Sequence, residues 1–131
     1  MFVHVETHAE SLYERVGGET FFIALVDRFY AGVEDDPVVR SLYPDDLGPP
    51  KRRLALFLAQ YWGGPRTYTD ERGDPRLRMR HFPFRIGQPE RDAWLRHMLA
   101  AVQTSAASPE DRNALSAYFE TAATSLINRP G

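Results

Sequence analysis

The sequence holds no cysteine. That absence removes disulfides, thiolate metal ligation, iron–sulfur clusters and the C-x-x-C-H thioether anchor from the chemistry open to the chain. No apolar run approaches the roughly 18 residues that a membrane-spanning helix needs, so no membrane span is expected. Residues 1–8 (MFVHVETH) lack the basic segment and apolar core of a secretion signal, which makes the cytoplasm the expected location. Strand-type alternation, internal repeats and low-complexity segments are missing too. Helical periodicity is the one regular signal left.

The length of 131 residues fits one domain that buries about two-thirds of the surface its unfolded chain exposes. A hydrophobic content of 43% with 26% charged residues is that of an ordinary globular protein. The net charge of −2 conceals an asymmetry: residues 51–100 carry 11 Lys/Arg against 5 Asp/Glu, which leaves the remainder at −8. A basic middle suits phosphates, nucleic acid or carboxylates, and equally a solvated surface of mixed charge.

Residues 1–10 read as a flexible N-terminal tail, with His4 and His8 solvated, and residues 11–131 as the single domain. Ser11 and Glu14 have capping-box spacing and open a short first helix that Gly17 and Gly18 end. A second helix is expected over 20–33, its apolar positions Phe22, Leu25, Val26, Phe29, Tyr30 and Val33 sharing one face. Asp35, Asp36 and Pro37 break the pattern, and a turn-rich stretch through Tyr43 and Pro50 leads to a third helix over 51–62. Leu54, Phe57, Leu58 and Tyr61 form its inner stripe, and Gly63, Gly64 and Pro65 stop it. A fourth helix opens near Pro89 with Trp94, Leu95, Met98, Leu99 and Val102 facing inward. A last one follows the Ser108 cap, with Leu115, Tyr118, Phe119, Ala122, Ala123, Leu126 and Ile127 as its inner face.

Between the third and fourth of these helices, residues 65–80 carry two breaks, at Pro65 and at Gly73 to Pro75, and little periodicity beyond one turn near 76–81. A coil this long in a small domain is functional or disordered, and Tyr68, Leu77 and several arginines favour order around something. It ends in RLRMRHFPF, residues 76–84, with His81 near its end. A neutral imidazole there suits haem iron, and the arginines suit the two propionates. A packed or surface histidine is the competing reading of that motif alone. Tyr30, Tyr43 and Trp94 likewise read, by themselves, as core aromatics with one polar atom satisfied. His97 reads as a surface residue.

The joint pattern goes further. The pairs Gly17–Gly18 and Gly63–Gly64, Phe29 followed by Tyr30, and a histidine after a long coil resemble a truncated haemoglobin. YWGGPRTY at 61–68, LRMRHFPFRI at 77–86 and ERDAW at 90–94 resemble group II of that family, in its actinobacterial O-type branch. The likeness runs from Ser11 to Asn128. It implies an all-α fold, a two-over-two helical sandwich enclosing haem b, with His81 as the proximal iron ligand. Tyr30 matches the family's distal tyrosine, and Tyr43 the aromatic that wedges the haem, where many members carry Phe. Trp94 matches the indole that marks the group. Leu54 and Phe57 match residues facing the ligand cavity, and Arg53 and Arg80 match positions near the propionates. Tyr61, Tyr68, Leu77, Phe84 and Ile86 are implied as haem walls. At Pro49 and Pro50, near where other globins place a distal histidine, this chain has neither His nor Gln.

The resemblance implies O2, CO and NO as ligands of an iron with one open position. Bound O2 carries charge shifted toward its oxygens, and Tyr30, Tyr43 and Trp94 supply the donors for it. A charge-assisted hydrogen bond of about 1.5–3 kcal/mol slows O2 release by roughly ten- to a hundred-fold. Slow release suits a carrier poorly. It suits better a redox site, an NO dioxygenase or a peroxidase, drawing on an external reductase because the chain has no flavin or nicotinamide domain. A homo-oligomer is a further expectation. The third reading, a helical regulator whose basic middle binds nucleic acid, leaves Tyr30, Tyr43, His81 and Trp94 without a joint purpose.

Overall fold

The computed structural model describes residues 10–130. Most of the expected tail, with His4 and His8, lies outside the described residues. Eight helices follow in order: α1 (Leu12–Arg15), α2 (Glu19–Glu34), α3 (Pro37–Arg40), α4 (Gly48–Tyr61), α5 (Thr67–Arg72), α6 (Leu77–His81), α7 (Gln88–Gln103) and α8 (Pro109–Ser125). No strand occurs among the described residues. The pair α2–α4 packs over the pair α7–α8, and α2 also packs on α7. None of the described helices is long and apolar enough to cross a membrane.

The periodicity explains the layering. Along α2, Phe21, Phe22, Leu25, Val26, Phe29, Tyr30 and Val33 are all buried. They meet Leu95, Met98, Ala101 and Val102 of α7 and Leu115, Phe119 and Ala123 of α8 in one core. Seating so many large apolar side chains in one interior is what selects two crossed layers over an open bundle. The caps follow the sequence signals. Glu14 N–H donates to Ser11 Oγ at 3.2 Å and Ser11 N–H to Glu14 Oε1 at 3.0 Å. Ser108 Oγ accepts from Asp111 N–H at 3.1 Å.

The double glycine at 63–64 lets two helices pass closely. Tyr13 N–H donates to Trp62 O at 3.0 Å, which brings α1 across the end of α4. A Cβ at Gly63, whose φ is 109°, would sit 2.5 Å from Ser11 Cβ. One at Gly64 would sit 2.6 Å from the Tyr13 ring and 2.8 Å from Ala59 O. Only glycine fits both positions.

Two expectations need correction. Helix α4 begins at Gly48, three residues before Lys51, because Pro49 and Pro50 occupy a first turn whose N–H groups have no helical partner to lose. The coil over 65–80 holds α5 as well as the expected turn that is α6. Helix α5 has no apolar period to announce it; Gln60 holds it instead. Gln60 Nε2 donates to Thr69 Oγ1 at 2.6 Å, and Thr69 N–H donates to Gln60 Oε1 at 3.0 Å. One ion pair escaped the sequence reading: the buried Asp111, 6% exposed, accepts from the exposed Arg15 through Nη2 at 2.9 Å and Nε at 3.2 Å, tying α1 to α8.

Candidate functional site

Helices α2, α4, α5, α6, α7 and α8, with the α3–α4 turn, line a cavity of about 380 Å³. That volume lies in the range of small-molecule and cofactor sites. Its walls are mostly apolar: Leu42, Pro50, Leu54, Phe57, Leu58, Leu77 and Ile86, with Phe119, Ala122, Ala123 and Leu126 of α8.

One wall carries His81. Its helix starts at Arg76, a non-glycine residue in the left-handed region at φ 42°. His81 Nδ1 lies 2.6 Å from Leu77 O, one turn back, so Nδ1 carries the proton and donates it. The tautomer leaves Nε2 with a free lone pair on a residue that lines the cavity, the arrangement a metal-binding imidazole requires. Asn128 fastens the segment that follows. Its Nδ2 donates to His81 O at 3.2 Å and to Phe84 O at 2.9 Å, and its Oδ1 accepts from Ile86 N–H at 3.0 Å. Arg78 donates to Ser125 O. The end of α8 therefore holds the histidine's helix from below.

A second wall carries the aromatic polar groups. Trp94 Nε1 donates to Tyr43 Oη at 3.2 Å. The Tyr30 and Tyr43 rings meet edge to face, centroids 5.3 Å apart. Phe29 braces both sides, 4.9 Å from Tyr30 and 5.1 Å from Trp94. Burial first, and then Tyr43, push the Tyr30 phenol far above its ordinary range. Burial also raises Tyr43, against the hydrogen bonds from Trp94 and Tyr30. Both phenols thus stay protonated donors at neutral pH. Because Tyr43 oxygen accepts from Trp94 Nε1, its own O–H is left free to donate elsewhere.

Tyr43 is set by a polar junction outside the cavity. Asp36 caps α3, its Oδ1 accepting from Val38 N–H at 3.0 Å. Its Oδ2 lies 2.7 Å from His97 Nε2 and 3.1 Å from Arg96 Nη2 on α7. Arg40 then closes the next turn on the carbonyls of Tyr43, Pro44 and Asp45. His97 is therefore no surface residue: its side chain is 19% exposed. It packs where Gly32 leaves room, a Cβ there falling 2.5 Å from His97 Nδ1.

Of the residues expected at the site, Tyr30, Tyr43, Arg53, Leu54, Phe57, Tyr68, Leu77, Arg80, His81, Phe84, Ile86 and Trp94 all line this cavity. Tyr61 does not. It lies past the last inward position of α4, 53% exposed, against Tyr118 at 4.3 Å and Trp62 at 5.2 Å. Arg80 lines the cavity, yet its Nε and Nη2 donate to the carbonyls of Pro75, Arg72 and Asp74 and so hold the loop before α6. Arg72 was missed because nothing marked α5. It lies 5.9 Å over the Tyr68 ring. The α8 residues were legible as an inner face, but a stripe does not say whether it packs on a helix or bounds a cavity.

The donor set fits haem. A flat apolar macrocycle needs apolar walls, its iron a neutral imidazole nitrogen, and its two carboxylates cations. Arg53 and Arg72 line the cavity and have no carboxylate partner among the described residues.

Known proteins agree. Residues 11–128 match the model of the family described as "Bacterial-like globin". Group 2 truncated hemoglobin YjbI of Bacillus subtilis (strain 168) is 39% identical over 117 residues, 89% of this chain and 88% of that protein. The thermostable hemoglobin of the actinobacterium Thermobifida fusca superposes with a TM-score of 0.90 at 54% identity, covering 93% of this chain and 100% of that one. The group II truncated hemoglobin of Bacillus anthracis gives a TM-score of 0.90 at 35% identity, over 95% of each chain. The chain belongs to the bacterial-like globins, and among them to the group II truncated haemoglobins, all-helical proteins built around a haem.

Proposed function

We propose that the protein binds O2, and also CO and NO, at a five-coordinate haem b iron held by His81, and releases O2 slowly. The observation that carries this reading is the Trp94 Nε1–Tyr43 hydrogen bond, with Tyr30 edge to face on Tyr43, in the same cavity as a histidine whose Nδ1 is engaged by Leu77 O. Bound haem supplies an iron with one open position for a diatomic ligand.

The protein's part is to hold and to donate. His81, orienting Nε2 through its bond to Leu77 O, is the proximal ligand. Leu54, Phe57, Tyr68, Leu77, Phe84 and Ile86 provide the apolar walls that keep water out. Arg53 and Arg72 answer the propionates, with Arg80 contributing through the loop it ties down. Tyr43 O–H is the donor to the ligand, and Trp94 and Tyr30 make it a better one by donating to its oxygen. The three donors act in series. A charge-assisted bond is worth about 1.5–3 kcal/mol, so Tyr43→Phe is expected to raise the O2 dissociation rate about ten- to a hundred-fold. Stopped-flow displacement of O2 by CO measures it, and an unchanged rate would remove Tyr43 from the account.

Slow release also favours a redox role, as an NO dioxygenase or a peroxidase served by an external reductant. For peroxide, no His or Gln among the described residues lines the cavity apart from His81, so the phenols and the Glu90 carboxylate are what the lining offers to move a proton.

A further inference from the structure

Tyr61, displaced from the cavity wall, has a ring 4.3 Å from Tyr118, and Tyr118 does line the cavity. Trp62 completes the cluster, 5.2 Å from Tyr61 and 5.7 Å from Tyr118. On its inner side Tyr118 continues to Phe119 at 5.4 Å and so to Trp94 at 6.0 Å. The three oxidisable rings differ in position. Tyr118 alone faces the cavity, and Tyr61 alone is broadly exposed, at 53%. The Trp62 indole N–H is buried and has no hydrogen-bond partner.

We propose that Tyr118 and Tyr61, flanked by Trp62, form an electron path that lets the protein oxidise phenols at its surface, phenols too large to reach the cavity. The proposal rests on the redox reading above, with hydrogen peroxide as the oxidant. Peroxide takes up two electrons and two protons, its O–O bond breaks, and two waters form. Each electron leaves Tyr118 toward the cavity together with its phenolic proton, which the peroxide takes up; Tyr61 returns the electron and water the proton, so Tyr118 ends unchanged. Each Tyr61 oxidation releases one phenolic proton to water and leaves a neutral phenoxyl radical. An external phenol then gives Tyr61 one electron and one proton. The sum is one peroxide and two phenols giving two waters and two phenoxyl radicals.

The two tyrosines suit their ends of the path. Burial, and then Tyr61, push the Tyr118 phenol up to about 12, so the resting side chain carries the proton that its oxidation gives up. The exposed Tyr61 meets water that accepts a proton and a surface that a bulky donor can touch. The donors this path would serve are phenols too bulky to enter a cavity of about 380 Å³.

The test uses the haem-loaded protein, hydrogen peroxide and a nitroso spin trap, with adducts located by peptide mass spectrometry. The expected result is an adduct on Tyr61 that Tyr118→Phe largely abolishes while a peroxide-induced Soret change still occurs. Phenylalanine keeps the ring packing and removes the oxidisable phenol. Tyr13→Phe, which alters a ring stacked on Phe22 away from the cavity, leaves the Tyr61 adduct in place. Tyr61→Phe is expected to slow oxidation of a polymer-linked phenol several-fold. An adduct on Tyr61 that persists in Tyr118→Phe, or radicals trapped only on Tyr30 and Tyr43, would overturn the path and leave the redox reading standing. A haem-loaded protein whose Soret band ignores peroxide would overturn both.

Discussion

Replacing Trp94 by Phe removes one N–H and keeps an aromatic face against Phe29 and Phe119, whose centroids lie 5.1 and 6.0 Å from the indole. The bond lost is Trp94 Nε1 to Tyr43 Oη, and at 3.2 Å it sits at the long end of ordinary N–H···O geometry. It joins two neutral groups. Its net worth is therefore about 0.5–1.5 kcal/mol, below that of a bond made directly to a charged ligand. If Trp94 acts by sharpening Tyr43 as a donor, that range converts to an O2 dissociation rate raised about two- to twelve-fold. Tyr43→Phe, which removes the direct donor, is expected to do more. The assay is stopped-flow replacement of O2 by CO in both variants, with the double variant to read their coupling. In a series arrangement the double variant dissociates O2 about as fast as Tyr43→Phe alone. Two results refute the reasoning. An unchanged rate in Trp94→Phe means the indole bond does not reach the ligand. A rise equal to that of Tyr43→Phe, with additive effects, means Trp94 donates to the ligand itself.

Other perturbations read other parts of the account. Asn128→Ala strips two donors from the carbonyls of His81 and Phe84 and an acceptor from Ile86 N–H. It should cost about 1–3 kcal/mol in a denaturant melt of the haem-free protein and raise amide exchange through residues 77–87. Gly64→Ala forces a methyl to within 2.6 Å of the Tyr13 ring and 2.8 Å of Ala59 O. A loss of about 1–3 kcal/mol is expected, relieved in part by Tyr13→Ala. Asp36 is held below its ordinary value of 3.8 by His97 first and Val38 N–H second, against burial. The folded state thus binds that proton less readily than the unfolded one. Its contribution is present above the unfolded value and lost as pH falls through the folded one. Urea midpoints followed from about pH 5 downward should fall less steeply in Asp36→Asn than in wild type.

Most of the helical frame was legible because its causes are local. Ser11 with Glu14, Ser108 before Pro109, and the apolar residues three and four apart along α2 each act within one helix, and the structure keeps these. Helix α5 was not legible because what holds it is distant: Gln60 from the preceding helix caps Thr69, and Arg52 pairs with Glu71 at 2.6 Å. Tyr61 was misjudged for a related reason. A helical stripe does not tell where a helix end leaves the core, and at the last residue of α4 the ring lies exposed against Tyr118. His97 was read as exposed because the sequence does not reveal that Gly32 leaves a recess for it on the neighbouring helix. The partner of His81 Nδ1 needed coordinates as well, since any carbonyl nearby could have taken that proton; Leu77 O does.

The central claim is that His81 is the iron ligand of a haem that keeps one position open. Its most direct test is the absorption spectrum of the haem-loaded protein, oxidised, reduced, and reduced under CO, compared with His81→Ala. The account expects an intense Soret band that shifts on reduction and again under CO. In His81→Ala the band should collapse and return when free imidazole is added, because the imidazole refills the space the side chain left beside Leu77 O. A Soret band that responds to CO identically in wild type and in His81→Ala would contradict the account.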